Sequence, residues 1–227
     1  LHYYRGCSLG EAFYQSVSGP YQQLLVGDPL CQPWAKPPQV AVEGIEAGER
    51  YDKNVELRTK ITPRPGTKVA TCELYVDGRL VVPEPFPYQL PVPLELDQLS
   101  QGHHELRIVA ATDDPLAMRG RAIVPFEVGT GDQPAVAIRV VPSPVVARGA
   151  TIQVEVEGPA GATGIEILQN RRVVGQVRGA SGRATIDPKL LGSGPVALAA
   201  EATMPEELAP TAGGPPRSRE FWLLVKE

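Results

Sequence analysis

Aromatic residues are scarce in this chain of 227 residues, at 6% of the total with Trp 2, Phe 4 and Tyr 7. No apolar run approaches the roughly 18 residues that a membrane-spanning helix needs, so there is no candidate span. Nor does one sign of charge dominate. Lys plus Arg number 22 against 26 Asp plus Glu, a net charge of -4, which leaves no basic footprint for nucleic acid or an anionic membrane surface. Histidine and cysteine number three each, with no C-x-x-C pair and no Cys/His ligand spacing, so neither a metal nor another cofactor is expected. Three cysteines cannot all pair within one chain. A Cys7–Cys31 bridge requires the N-terminal helix and the following strand to lie side by side; free or buried thiols at Cys7, Cys31 and Cys72 are the alternative, and both stay open. A secretory signal with its charged, apolar and small-residue sections is not recognisable. The chain starts at Leu1, which reads as an internal or C-terminal piece of a longer protein whose targeting segment, if any, lies upstream.

Glycine, 23, and proline, 24, are abundant in a chain that is 42% hydrophobic. That balance suits many short strands joined by turns around cores of Val, Leu, Ile and Ala. Cys72 to Val82, CELYVDGRLVV, reads as a strand, a tight turn and a return strand. It recurs as Ile165 to Val174, IEILQNRRVV, with Glu73 and Glu166 93 residues apart. An interval of that length is the size of one small β-sandwich. The expected fold is therefore mainly β: two tandem Ig-like or fibronectin-like antiparallel β-sandwiches, residues 38–129 and 134–227, behind a helix-strand piece and linker, residues 1–37. The short junction Gly129–Pro134 should set the modules end to end with limited hinge freedom.

In residues 1–37, Ser8 can cap a helix while Glu11 reaches back to the Ser8 amide, and Leu9, Ala12, Phe13 and Val17 form one apolar stripe. Gly19 and Pro20 stop it. Gln23 to Val26 follows as a short apolar strand, cut off by Gly27-Asp28-Pro29, and then comes a proline-rich connector. So small a piece cannot close a core of its own. Its partner is either an upstream domain or the first sandwich, at the end where the chain enters. Cys7 beside a helix N-terminus, with His2 nearby, is the arrangement that suggests nucleophilic thiol chemistry. It lacks a base held in reach and an orienting third group, so Cys7 reads as a small residue entering a helix. Asp28 reads as a turn residue satisfying local amides.

GCSLGEAFYQSV followed by QQLLVGDPLCQPW, about residues 3–36, resembles the last helix and last strand of the peptidase-like domain in a family of uncharacterised bacterial proteins. In that family a caspase-like or gingipain-like α/β domain is followed by Ig-like modules. The resemblance implies an upstream α/β domain as a partner on the same polypeptide, with any catalytic Cys/His pair before Leu1. It also implies an exported protein, extracellular or in the cell envelope. No residue of this chain takes a catalytic role from it.

The first module reads as strands at Val40–Ile45, Asn54–Ile61, Lys68–Val76, Glu105–Ala111 and Ala122–Val128, with Cys72 on the apolar side of the third. Asp77-Gly78 makes the hairpin turn. Pro83, Pro85, Pro87, Pro91 and Pro93 confine their segment to an edge or a crossing, and Phe86 and Tyr88 within it offer a proline-aromatic surface whose commoner use is edge protection. His103 and His104 are adjacent in a strand, point to opposite faces and cannot both ligate one ion. Asp113, Asp114 and Asp132 suggest a calcium clamp, which the sandwich topology disfavours by placing their loops at opposite ends. The VDG hairpin and the QGHHEL step look like the Ig-like modules appended to bacterial surface and secreted proteins, a likeness that specifies fold and not ligand.

The second module repeats the pattern at Ala135–Val141, Ala150–Val156, Ile165–Leu168, Ala184–Ile186, Val196–Ala202 and Glu220–Val225, with DPKLLGSG the counterpart of ELDQLSQG. Met204–Arg219 is far longer than a hairpin loop, and reads as a solvated insertion or an adjustable contact loop facing the first module. Arg171, Arg172, Arg178 and Arg183 read as a solvated basic face. The leading functional expectation is a non-catalytic structural or interaction region, a spacer or docking pair for a larger protein. The alternatives are the C-terminal part of a cysteine-peptidase-like enzyme and a surface adhesion or glycan-binding module contacting cell-surface components. Adhesion needs an exposed aromatic platform. Of the two tryptophans, Trp34 and Trp222, the latter sits in the closing strand and is expected in the core.

Overall fold

The computed structural model describes residues 1–19, 26–82, 89–131, 134–208 and 214–226. Helix α1 (Leu9–Ser16) forms where its capping residues put it: the Ser8 hydroxyl accepts the Glu11 amide at 3.2 Å and the Glu11 carboxylate accepts the Ser8 amide at 2.8 Å. Ala12 is buried and Leu9, Phe13 and Val17 are half-buried, so the apolar stripe faces protein. The expected strand at Gln23–Val26 lies outside the described residues apart from Val26, which is exposed. Cys7, Cys31 and Cys72 are all free thiols.

Eight strands follow: β1 (Gln39–Glu43), β2 (Arg50–Tyr51), β3 (Val55–Thr62), β4 (Val69–Val76), β5 (Arg79–Val82), β6 (Val92–Leu94), β7 (Gly102–Thr112) and β8 (Arg119–Val128). Eight more complete the chain: β9 (Ala137–Val141), β10 (Val145–Ala147), β11 (Ile152–Glu157), β12 (Gly164–Gln169), β13 (Arg172–Arg178), β14 (Ser181–Ile186), β15 (Gly194–Thr203) and β16 (Phe221–Lys226). The first set forms sheets ordered β1-β3-β6 and β2-β8-β7-β4-β5; the second forms β9-β11-β14 and β10-β16-β15-β12-β13. The two sets match strand for strand. The protein is mainly β, two tandem Ig-like or fibronectin-like sandwiches.

Two elements depart from expectation. β2 lies in the stretch between the expected strands Val40–Ile45 and Asn54–Ile61, and β10 between Ala135–Val141 and Ala150–Val156, where the pattern predicts no strand. Each pairs parallel with the last strand of its set, Arg50 with Glu127 and Val145 with Leu224, so the sandwiches are not wholly antiparallel. Runs of two or three residues carry too little periodicity to be read as strands. The paired hairpin turns agree with expectation in form. Asp77 and Gly78 have φ of 52° and 78°, and Asn170 and Arg171 have 48° and 66°, so both are two-residue turns with left-handed central residues. Pro93 lies in β6, an edge strand; residues 83–88, with Phe86 and Tyr88, lie outside the described residues.

Packing divides the chain into two compact units. The first comprises Leu1–Glu43, Leu57–Val92 and Arg107–Ile123, and buries Leu57, Cys72, Leu74, Val76, Ile108 and Ala110. Burial, with the charge of Glu73, pushes the Cys72 thiol up to about 12, as fits a core-filling group. The second unit comprises Gly44–Glu56, Pro93–Leu106 and Val124–Glu227. Val154, Ile165, Ile167, Leu198, Leu223 and Val225 belong to its main cluster, and Leu96, Leu106 and Phe126 are buried elsewhere in it. There the 3-10 turn Leu96–Gln98 is held by Asn54, whose side-chain oxygen accepts the Leu96 amide at 2.7 Å. Its counterpart Pro188–Leu190 is held by Asp187 through the Lys189 amide at 3.0 Å.

Candidate functional site

The second unit contains an ionic cluster around one buried carboxylate, built on the β2–β8 pairing. Register sets Arg50 opposite Glu127, and the Glu127 side chain is only 6% exposed. Its carboxylate accepts hydrogen bonds from the Arg50 guanidinium, through Nε at 3.0 Å and through Nη2, and lies 2.6 Å from Arg219 Nε. Each arginine also reaches a backbone carbonyl: Arg50 Nη1 that of Gly131 at 2.6 Å and Arg219 Nη2 that of Gly48 at 2.5 Å. Burial by itself would raise the Glu127 carboxyl; the Arg50 hydrogen bond and the charges of Arg219 and Arg50 outweigh it and hold the group below the usual glutamate range. A shallow cleft of about 350 Å³ opens beside the cluster, with Val136, Ile138 and Phe221 on its wall.

The segment that supplies Arg219 is pinned. The Ala202 amide donates to Pro216 O at 2.8 Å, the Ser218 amide to Ala200 O at 2.8 Å, and the Ala200 amide to Ser218 Oγ at 2.8 Å. The His103 amide in turn donates to Arg217 O at 2.8 Å. Gly102 fits this approach because a Cβ there would stand 2.5 Å from Arg217 O, and its φ of +121° suits glycine. The C-terminal end of Met204–Arg219 is thus a built contact rather than a solvated insertion; residues 209–213 lie outside the described residues. Nδ1 of His103 is buried with no hydrogen-bond partner among the described residues. Burial, then the charges of Arg219 and Arg217, lower its pKa below 6.5.

A second cleft, of about 730 Å³, lies in the first unit between the N-terminal piece and the loops that follow β3 and β7. A Cβ on Gly6 would meet Met118 Cε at 2.2 Å, and one on Gly120 would meet Pro38 O at 1.9 Å, so the N-terminal piece is docked closely at the end where the chain enters β1. Cys7 and His2 both line this cleft. Cys7 is nevertheless buried at 2% exposure, and the polar group placed near its Sγ is the Gln15 amide at 3.8 Å, not an imidazole. Asp28 serves its turn by accepting the Leu30 amide at 2.9 Å. Three cations, Arg5, Lys36 and Arg64, face the cleft against one carboxylate, Asp114. Burial would raise Asp114; hydrogen bonds from Thr112 and the Leu116 amide and the charge of Arg64 lower it on balance. Trp34, 44% exposed, forms an aromatic wall, braced edge-on by Tyr3 at 4.7 Å between centroids and flanked by Tyr4 at 6.1 Å.

The other marked residues do not converge. His104 is buried beside Ser100 and Phe126, while His103 points the other way. Asp113 accepts the Lys68 amide at 2.8 Å. Asp132 lies outside the described residues, and among those described no group of three or more His, Cys, Asp or Glu gathers as metal ligands. The four arginines do not form one face: Arg171 and Arg172 sit at a hairpin, Arg178 at the far end of β13, and Arg183 on β14 in the other sheet. Arg183 joins Arg139 on Glu155, at 2.7 and 3.1 Å through their Nε atoms. Trp222 corrects its expectation outright. It is 60% exposed, because Leu223 and Val225 take the inward positions of β16 and alternation turns Trp222 and Leu224 outward.

What the sheets define is a tandem β-sandwich protein. No protein-family model matches the chain, and no curated protein matches it. Among solved structures, it is similar to the fibronectin(III)-like modules of Clostridium thermocellum CbhA, at TM-score 0.34 and 14% identity over 83% of this chain and 93% of that one. It is similar to the Bacteroides ovatus mixed-linkage glucan utilization locus protein SGBP-B, solved with a mixed-linkage heptasaccharide, at TM-score 0.37 and 14% identity, covering 93% of this chain and 46% of that one. The tandem Ig repeats of Dlar align at TM-score 0.28 and 15% identity over 85% and 99%. Alignments at this level specify neither ligand nor partner, and the fold rests on the sheets themselves.

Proposed function

We propose that this chain is a non-catalytic structural and interaction region, its modules at 38–129 and 134–227 acting as a spacer or docking pair for a larger, exported bacterial protein. An upstream α/β domain on the same polypeptide, of caspase-like or gingipain-like type, is the partner this reading assigns, with residues 1–37 as its tail. The observation that supports a spacer is the packing of the second unit. Residues 44–56, 93–106 and 124–131 belong to the same compact body as residues 134–226, with Glu127 clamped by Arg50 and Arg219. A connection with an ionic clamp at its ends transmits a fixed spacing, whereas a plain flexible linker would not. Backbone 15N relaxation tests it. A common rotational correlation time for residues 44–56, 124–131 and 134–226 is expected; a separate, shorter time for 134–226 refutes a rigid spacer.

Adhesion is the second reading, favoured by the outward Trp222. It shares the outer face of its sheet with exposed Val145 and Leu224, an aromatic platform the sequence placed in the core. Binding to a glycan array that is lost in Trp222→Ala would support it, and an array with no binder would count against it.

A further inference from the structure

We infer that the cleft beside α1 binds an acidic oligosaccharide, its uronate or sulfate group held by Arg5 and Lys36 and a sugar ring stacked on Trp34. The site is separate from the Trp222 face and does not depend on the spacer reading. Charge points to an anion. Asp114 is already committed to Arg64, Thr112 and the Leu116 amide, while Arg5 and Lys36 have no carboxylate partner among the described residues. Two cations lining one cleft without a carboxylate partner favour an anionic ligand, and Arg binds a planar carboxylate through paired donors.

Shape and lining choose a sugar over a peptide. An open strand edge, a groove for a helix and a polyproline track, three of the modes by which peptides are recognised, are not what lines it; recognition of an acidic peptide by clustered cations is the competing mode, and a glutamate-rich hexapeptide tests it. This cleft is lined by side chains of loops and of α1, and its volume falls within the about 300–1,000 Å³ typical of small-ligand sites. The Trp34 indole is braced by Tyr3, whose hydroxyl donates to Cys31 Sγ at 3.4 Å, so it is preorganised rather than swinging freely. An electron-rich ring face offers a surface for the slightly positive C–H face of a pyranose. His2 and Gln15 in the lining carry groups that can hydrogen-bond ring hydroxyls.

The test uses a Trp222→Phe background, so that Trp34 is the remaining tryptophan. Its fluorescence is followed on titration with trigalacturonate and with a heparin-derived tetrasaccharide, against neutral galactotriose, a glutamate-rich hexapeptide and inorganic sulfate. A saturable change with an acidic oligosaccharide is expected, about tenfold or more weaker for galactotriose and for the Arg5→Gln/Lys36→Gln variant. Amide shift mapping on the unaltered chain should centre on Arg5, Trp34, Lys36 and Leu116, which keeps the test independent of how any variant folds. No saturable binding of either acidic saccharide up to about 10 mM overturns the proposal. So does equal or tighter binding of the peptide or of sulfate, or a shift pattern centred on Trp222.

Discussion

Replacing Glu127 by alanine is the sharpest perturbation this structure offers, because one carboxylate holds two guanidinium groups. The two partners differ in exposure, Arg50 at 21% and Arg219 at 52%. Breaking a fully buried pair costs about 3–5 kcal/mol, and an exposed pair is worth about 0.2–1 kcal/mol. Arg50, partly exposed, stands between the two limits and Arg219 near the second, so the expected loss is about 2–3 kcal/mol. For a chain of this size that lowers Tm by about 4–12 °C. Urea denaturation measures the loss directly, and pH identifies its origin. Glu127 titrates below its ordinary value of 4.5 in the folded chain, so the unfolded chain takes up the proton more readily. Its contribution is complete above that ordinary value and drains away as pH falls through the folded one. The gap between the unaltered chain and Glu127→Gln should therefore be constant from about pH 7 to 5 and narrow below about pH 4. A loss under about 0.5 kcal/mol in the alanine variant, or a gap unchanged down to about pH 3, would refute the reasoning.

Two further outcomes follow from particular backbone and burial facts. Arg171 has φ of 66°, where glycine is unstrained, so Arg171→Gly should raise stability by about 0.5 kcal/mol after the added entropy of the unfolded chain is counted; a higher urea midpoint at unchanged slope checks it. His103 has a lowered pKa from burial and from Arg219 and Arg217, so the unfolded chain binds its proton first and stability falls as pH drops from about 6.5 through the folded value. His103→Phe should flatten the stability profile between about pH 7 and 5, and an unchanged slope in that variant would show that other groups set it.

The sites were less legible than the elements. Nothing local in the sequence marks Glu127; its meaning comes from Arg50, 77 residues earlier and brought in by the β2–β8 register, and from Arg219, far later and brought in by the pinned segment ahead of β16. The signal available was weak: an acid in an otherwise apolar closing strand, PFEV, where burial demands a counter-charge. The cleft beside α1 was hidden for a similar reason. Cys7 and His2 are the chemistry-bearing residue types in this part of the sequence, yet the groups that define the cleft electrostatically are Arg5, Lys36, Arg64 and Asp114, drawn from the N-terminal piece and two loops.

By itself the sequence determined whatever depends on near neighbours. The capping box at Ser8 and Glu11, the alternation that buries Cys72, Leu74 and Val76, the left-handed turns at Asp77-Gly78 and Asn170-Arg171, and the duplication of the whole strand pattern are set within a few residues. Only the tertiary structure decided the phase of FWLLV, where alternation is invisible because each residue is apolar. Pairing with β15 and the filling of the core by Leu223 and Val225 sent Trp222 to the surface. It also decided β2 and β10, whose strand character exists because β8 and β16 present an edge to them, and the clamp on Glu127. These depend on contacts across long separations, whose strength comes from excluding water, and no short stretch of chain encodes that exclusion.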